Sequence, residues 1–78
     1  MKIYGIQQNN NPILIEVISA EIDIFMHKII FKTASRDIWS LQFRNQSQAR
    51  FQLRELLTTG LLVVENDDDP RYMLIKEK

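Results

Sequence analysis

The chain predicts an α+β fold: an antiparallel sheet of five to six strands with one helix packed on it, in the order β-β-β-β-α-β-β. Three features carry that reading. Residues 37–44, DIWSLQFR, alternate Trp39, Leu41 and Phe43 against Ile38, Ser40, Gln42 and Arg44, the two-residue period of a half-buried strand. Residues 46–60, QSQARFQLRELLTTG, put Ala49, Leu53, Leu56 and Leu57 on one stripe at the 3.6-residue period of a helix. The remaining apolar segments are short, rich in β-branched residues and separated by polar or Pro-containing stretches, as strands are.

Taken in order, KIYGI (2–6) is a strand, ended by the polar loop QQNNNP that Pro12 closes. ILIEVISA (13–20) favours strand over helix through its β-branched residues. IDIFMHKIIFK (22–32) continues as extended chain, with Ile29 and Phe31 on one face and Lys28, Ile30 and Lys32 on the other. Placing Ile29 and Phe31 on the face of Trp39, Leu41 and Phe43 requires Ile29 opposite Leu41, which leaves Ala34-Ser35-Arg36 as a short hairpin loop. Asn45 or Ser47 can cap the start of the helix, and Gly60 suits the left-handed residue that ends it. LLVVE (61–65) and RYMLIKE (71–77), joined by an NDDDP turn, complete a second hairpin. The expected core joins Trp39, Leu41 and Phe43 to Leu53, Leu56 and Leu57.

Seventy-eight residues make a single small domain, 1–78, near the size at which one core is only just adequate. With 45% hydrophobic and 26% charged residues the composition is globular, and without cysteine neither a disulfide nor a thiolate metal site can staple it. Stability must therefore come from buried apolar area, at about 25 cal/mol per Å². MKIYGIQQNNNP lacks the long apolar run of a signal peptide, and no later stretch is long enough to span a membrane, so a cytoplasmic protein is expected.

Catalytic chemistry finds no support. His27 has no cysteine or second histidine to share a metal with, and reads as a partly exposed strand residue. Asp67, Asp68 and Asp69 lack the alternate spacing, the Gly and the distal Glu of a calcium loop, and read as a solvated turn leaving through Pro70. Gly5 and Gly60 are the two glycines, too few for a phosphate-binding loop or an oxyanion elbow. The expectation is no enzyme, no catalytic residue, no cofactor and no metal.

Surfaces remain. Phe51 lies almost opposite the apolar stripe, with Arg50, Arg54 and Thr58 between them and Glu55 one turn on. Aromatic and Arg side chains are enriched at binding hot spots, and a helix that only covered a sheet would not need a ring there. Arg50, Phe51, Arg54, Glu55 and Thr58 are thus the expected partner-binding residues, unless a neighbouring strand wraps over Phe51. The second candidate surface is the outer face of the first hairpin: Lys28, Ile30, Lys32, Ile38, Ser40, Gln42 and Arg44.

Net charge is zero but segregated. Lys28, Lys32, Arg36, Arg44, Arg50 and Arg54 stand against the single acid Asp37 between 26 and 54, while acids dominate after Glu55. Those six cations are the alternative, nucleic-acid-binding set, although zero net charge weighs against a general nucleic-acid binder. Many isoleucines, lysines and asparagines with few alanines and glycines suit an AT-rich genome. The expectation is a non-enzymatic protein–protein interaction module, a small bacterial or phage regulator, inhibitor or adaptor. Its partner is a protein with an acidic surface, or second to that another copy of the chain, with nucleic acid less favoured and no membrane.

Overall fold

A computed structural model describes residues 1–7, 11–64 and 74–77. The fold is α+β: the described residues form one helix and seven strands in two sheets, mostly antiparallel. The strands are β1 (Lys2–Ile6), β2 (Pro12–Glu16), β3 (Ser19–Asp23), β4 (Lys28–Lys32) and β5 (Ile38–Gln42); helix α1 (Gln46–Thr59) follows, then β6 (Leu61–Val63) and β7 (Ile75–Glu77). The helix falls after the fifth strand rather than the fourth. The expected continuous strand over 22–32 is broken at residues 24–27, where the Asp23 carboxylate accepts from the N–H of Phe25 at 3.0 Å and of Met26 at 3.2 Å. That side-chain turn reverses the chain, and His27 completes it at φ 53°. His27 is therefore a turn residue rather than a strand residue.

The sheets are ordered β2-β1-β6 and β3-β4-β5-β7. Ile29 stands opposite Leu41 and Phe31 opposite Trp39, the register the alternating pattern predicts. Among the described residues β6 and β7 do not pair with each other, so the second hairpin expected between 61–65 and 71–77 is not seen there. β6 pairs parallel with β1, Ile3 beside Leu62, and β7 pairs antiparallel with β5 at the edge of the other sheet. The reason lies in β1, whose outward N–H and C=O groups are satisfied by a parallel neighbour. Val64 N–H donates to the Tyr4 carbonyl at 2.7 Å, and Leu74 N–H to the Ile6 carbonyl at 2.9 Å. Val64 and Leu74 thus occupy consecutive steps of one ladder, and the expected NDDDP turn falls between them, outside the described residues, with the first part of RYMLIKE. Gly5 sits at this junction. A Cβ there would stand 2.8 Å from Leu74 Cδ1 and 3.2 Å from Val64 Cβ, so its missing side chain is what lets Leu74 approach.

Chain continuity joins the sheets on both sides. The expected strand over 13–20 is divided at Val17–Ile18: Val17 N–H still donates to Met1 of the first sheet at 2.7 Å, while Ile18 N–H donates to Lys32 of the second at 2.8 Å. On the other side Leu74 leads from β1 into β7. One core fills the space between: Ile3, Ile15 and Leu62 from the first sheet, Ile29, Phe31, Trp39 and Leu41 from the second, with Phe43, Ala49, Leu56 and Leu74.

The helix covers one side of this core and starts as the sequence predicts. Asn45, and not Ser47, is the cap: its Oδ1 accepts from Gln48 N–H at 2.8 Å, and Gln48 Oε1 reaches back to accept from Arg44 N–H at 3.3 Å. Gly60 at φ 76° ends it, its N–H donating to the Leu56 carbonyl at 2.8 Å. The buried seam is narrower than the apolar stripe. Ala49 and Leu56 are fully buried and Leu53 partly, but Leu57 is 59% exposed. At 100° per residue Leu57 falls about 40° beyond Leu53, past the line along which α1 meets β6, β3 and β4.

Candidate interaction surface

The capped, sheet-packed helix holds its outer face rigidly toward solvent. Arg50, Phe51, Arg54, Glu55 and Thr58 are all exposed, and Phe51 keeps 58% of its surface in water. No described strand wraps over it. Neither Arg50 nor Arg54 makes an ion pair among the described residues, so both guanidinium groups are available there. Leu57, which the stripe assigned to the core, belongs to this face instead. On a helical wheel it flanks Arg50 and Arg54 on one side while Phe51 flanks them on the other, so two arginines stand between two exposed apolar side chains. The signal for Leu57 was the width of the stripe: three residues already fill the seam available to a short helix on small strands.

The six cations of the alternative set are not gathered in the same way. Lys28 and Arg44 lie toward one end of the β4–β5 hairpin, Lys32 and Arg36 at the other, and the two ends of β4 are about 13 Å apart. Lys28 pairs with Glu77 at 3.6 Å and Lys32 with Glu21 at 4.0 Å. Arg36 occupies the hairpin turn at φ 69°.

The outer hairpin face, the second candidate surface, is only partly open to solvent. Ser40 is buried at 3% exposure, because β7 extends the sheet beside β5 and brings Glu77 over it. The Ser40 hydroxyl donates to Glu77 Oε1 at 2.6 Å. This bond, more than the nearby Lys28 charge, holds the Glu77 carboxyl below the usual glutamate range, against the opposing effect of desolvation. Ile30 and Ile38 are half-buried, and Lys32, Gln42 and Arg44 are exposed.

A further apolar surface escaped the sequence reading. Ile24, Phe25 and Met26 form the exposed tip of the β3–β4 turn, with Phe25 86% in solvent. Their strand propensity disguised the turn, and Asp23 was the one cue to it. His27 is half-buried there, its Nδ1 enclosed without a hydrogen-bond partner among the described residues. Among the described residues no cluster of three His, Cys, Asp or Glu side chains could hold a metal, and no helix is long and apolar enough to cross a membrane. No protein-family model, curated protein or solved structure matches this chain.

Proposed function

We propose that this chain is a non-enzymatic protein–protein interaction module that binds a partner protein through the outer face of α1. The observation that carries the reading is the exposure of Phe51 and Leu57 on either side of Arg50 and Arg54. Keeping two large apolar side chains in water on a rigid helix forgoes burial worth about 1.5–3 kcal/mol for each when complete. A partner that covers them recovers it. The arginines select an acidic rim on that partner and disfavour a symmetric dimer about this face, which would set each pair of arginines against its own copy. Glu55 and Thr58 supply the polar edge. A small regulator, inhibitor or adaptor in the cytoplasm of a bacterial or phage-infected cell fits a module of this size and neutral net charge.

The test compares the parent protein with Phe51→Ala and with Arg50→Glu/Arg54→Glu as baits in lysate of the native host. Partner proteins retained by the parent are then purified and titrated calorimetrically. A partner lost by both variants, with Phe51→Ala weakening it by about 2 kcal/mol or more, supports the reading. If every captured partner binds the variants as well as the parent, the helix face is not the interface. Nucleic acid bound through Lys28, Lys32, Arg36 and Arg44 would instead weaken steeply between low and moderate salt.

A further inference from the structure

Among the described residues β2 is hydrogen-bonded on one side only, to β1. The reciprocal bonds of Met1 and Val17 (Val17 N–H to the Met1 carbonyl at 2.7 Å, the Met1 amino group to the Val17 carbonyl at 3.3 Å) fix the phase of its ladder. Val17, Ile15 and Ile13 address β1, so the N–H and C=O of Leu14 and Glu16, and the C=O of Pro12, point the other way. The next outward donor, Ile18 N–H, is taken by the Lys32 carbonyl at 2.8 Å, because the chain has bent into the second sheet. Between that bend and Pro12, no described group accepts from Leu14 or Glu16 N–H.

This edge opens onto a cleft of about 380 Å³ whose opposite wall is the β4–β5 turn. Ile13, Ile15 and Trp39 give it apolar surface, and Glu16 and Asp37 are its charged residues, with no cation among the side chains that line it. Both carboxylates hold lysines, Lys2 at 3.8 Å from Glu16 and Lys76 at 3.5 Å from Asp37, in exposed pairs that solvent screens.

We propose that this edge and cleft bind an extended basic segment of a partner protein as an added β-strand. Unpaired backbone groups select an extended chain, since only a strand meets N–H and C=O groups at this spacing. Alternate apolar side chains of that strand would enter the cleft beside Trp39, and lysine or arginine at its margins would meet Glu16 and Asp37. A second copy of this chain is the poorer occupant, because two β2 strands paired about a two-fold axis would bring acidic rim to acidic rim. Pro12, which offers no N–H, limits the edge to two donors and restrains indiscriminate self-pairing. The surface is separate from the helix face and does not depend on it.

The probe is a fluorescein-labelled peptide of alternating Lys and Val, read by fluorescence anisotropy, with two controls. One carries N-methyl groups on its Val amides and the other on its Lys amides, so that each blocks one edge of the extended peptide. The expected result is binding by the parent peptide, a loss of about tenfold or more for one methylated isomer, and little change for the other. Leu14→Pro, which removes an N–H without a partner among the described residues, should weaken the peptide comparably, and Phe51→Ala should leave it unchanged. Because Leu14→Pro can disturb folding, amide hydrogen exchange of the unaltered protein is followed in parallel. The Leu14 and Glu16 amides must gain protection when the peptide is added. Four results overturn the proposal: no binding at about 1 mM peptide, equal behaviour of the two methylated isomers, unprotected Leu14 and Glu16 amides, or a dimer that protects them without peptide.

Discussion

Replacing Leu56 and Leu57 by alanine, one at a time, separates the two sides of the helix. Leu56 is fully buried beside Ala49, Leu62 and the sheet core. Its truncation removes transfer free energy and leaves a cavity, which for buried leucine costs about 2–5 kcal/mol; with no exposed surface, about 3–4 is expected. Leu57 keeps 59% of its surface in solvent, so its truncation removes less than half of a full burial and leaves no enclosed cavity. That amounts to about 0.5–1 kcal/mol. Leu53, partly buried between them, should fall near 2 kcal/mol. For a 78-residue domain the whole stability is about 4–12 kcal/mol, so the Leu56 loss is a large share of it. Trp39, enclosed in the same core, gives a fluorescence signal for urea titration. With a slope of about 1–1.5 kcal/mol per molar, Leu56→Ala should lower the midpoint by about 2–4 M and Leu57→Ala by no more than about 1 M. Equal losses at the two positions would mean that α1 is rotated from the orientation described, and the proposed partner face would go with it.

Ser40→Ala should cost about 1 kcal/mol at pH 7, the value of a charge-assisted hydrogen bond reduced because the Glu77 side chain is 40% exposed. Because Glu77 has a lowered folded pKa, its contribution is fully present above the ordinary glutamate value of the unfolded chain and is lost as pH falls through the folded one. The Ser40→Ala penalty should therefore shrink in acid, and a penalty that is constant from pH 7 to pH 2 would sink the coupling. Gly5→Ala should destabilise by about 1–3 kcal/mol through its approach to Leu74 and Val64, partly relieved by Leu74→Val. Gly60→Ala, at φ 76° with open space around it, should cost only about 1 kcal/mol, and a reversed order of the two glycines would contradict the packing at the β1–Leu74 junction.

What was legible in the sequence was local. The β4–β5 register follows from two-residue alternation, because a slip of one residue would expose Trp39, Leu41 and Phe43 together. The helix ends follow from Asn45 and Gly60, whose side-chain oxygen and left-handed backbone act within one turn. Pairing between distant strands was not legible. β6 and residues 71–77 are neighbours in sequence with a strong turn signal between them, which made a hairpin the natural expectation. In the structure β6 pairs with β1 and β7 with β5, because those strands offer unfilled ladder positions and because Ile3, Leu62 and Leu74 share one core. The β3–β4 turn was hidden by its own apolar residues.

The same division explains why Phe51 could be singled out and the β2 edge could not. Phe51 declares itself on a helical wheel, since the sequence alone fixes which residues share a face. An unpaired edge has no such signature: PILIE reads as an ordinary strand whatever lies beside it. Among the described residues its outer side is open because Val17–Ile18 turns the chain from one sheet to the other before β4 can reach Glu16 and Leu14, while the Thr33–Asp37 turn directs the hairpin back along β5. Thr33 N–H donates to the Asp37 carbonyl at 3.0 Å, and Asp37 N–H donates to Thr33 Oγ1 at 3.1 Å, which fixes where that turn closes. A longer β4 would have covered the edge; a strand that stops at Lys32 leaves two amides of β2 to whatever extended chain can reach them.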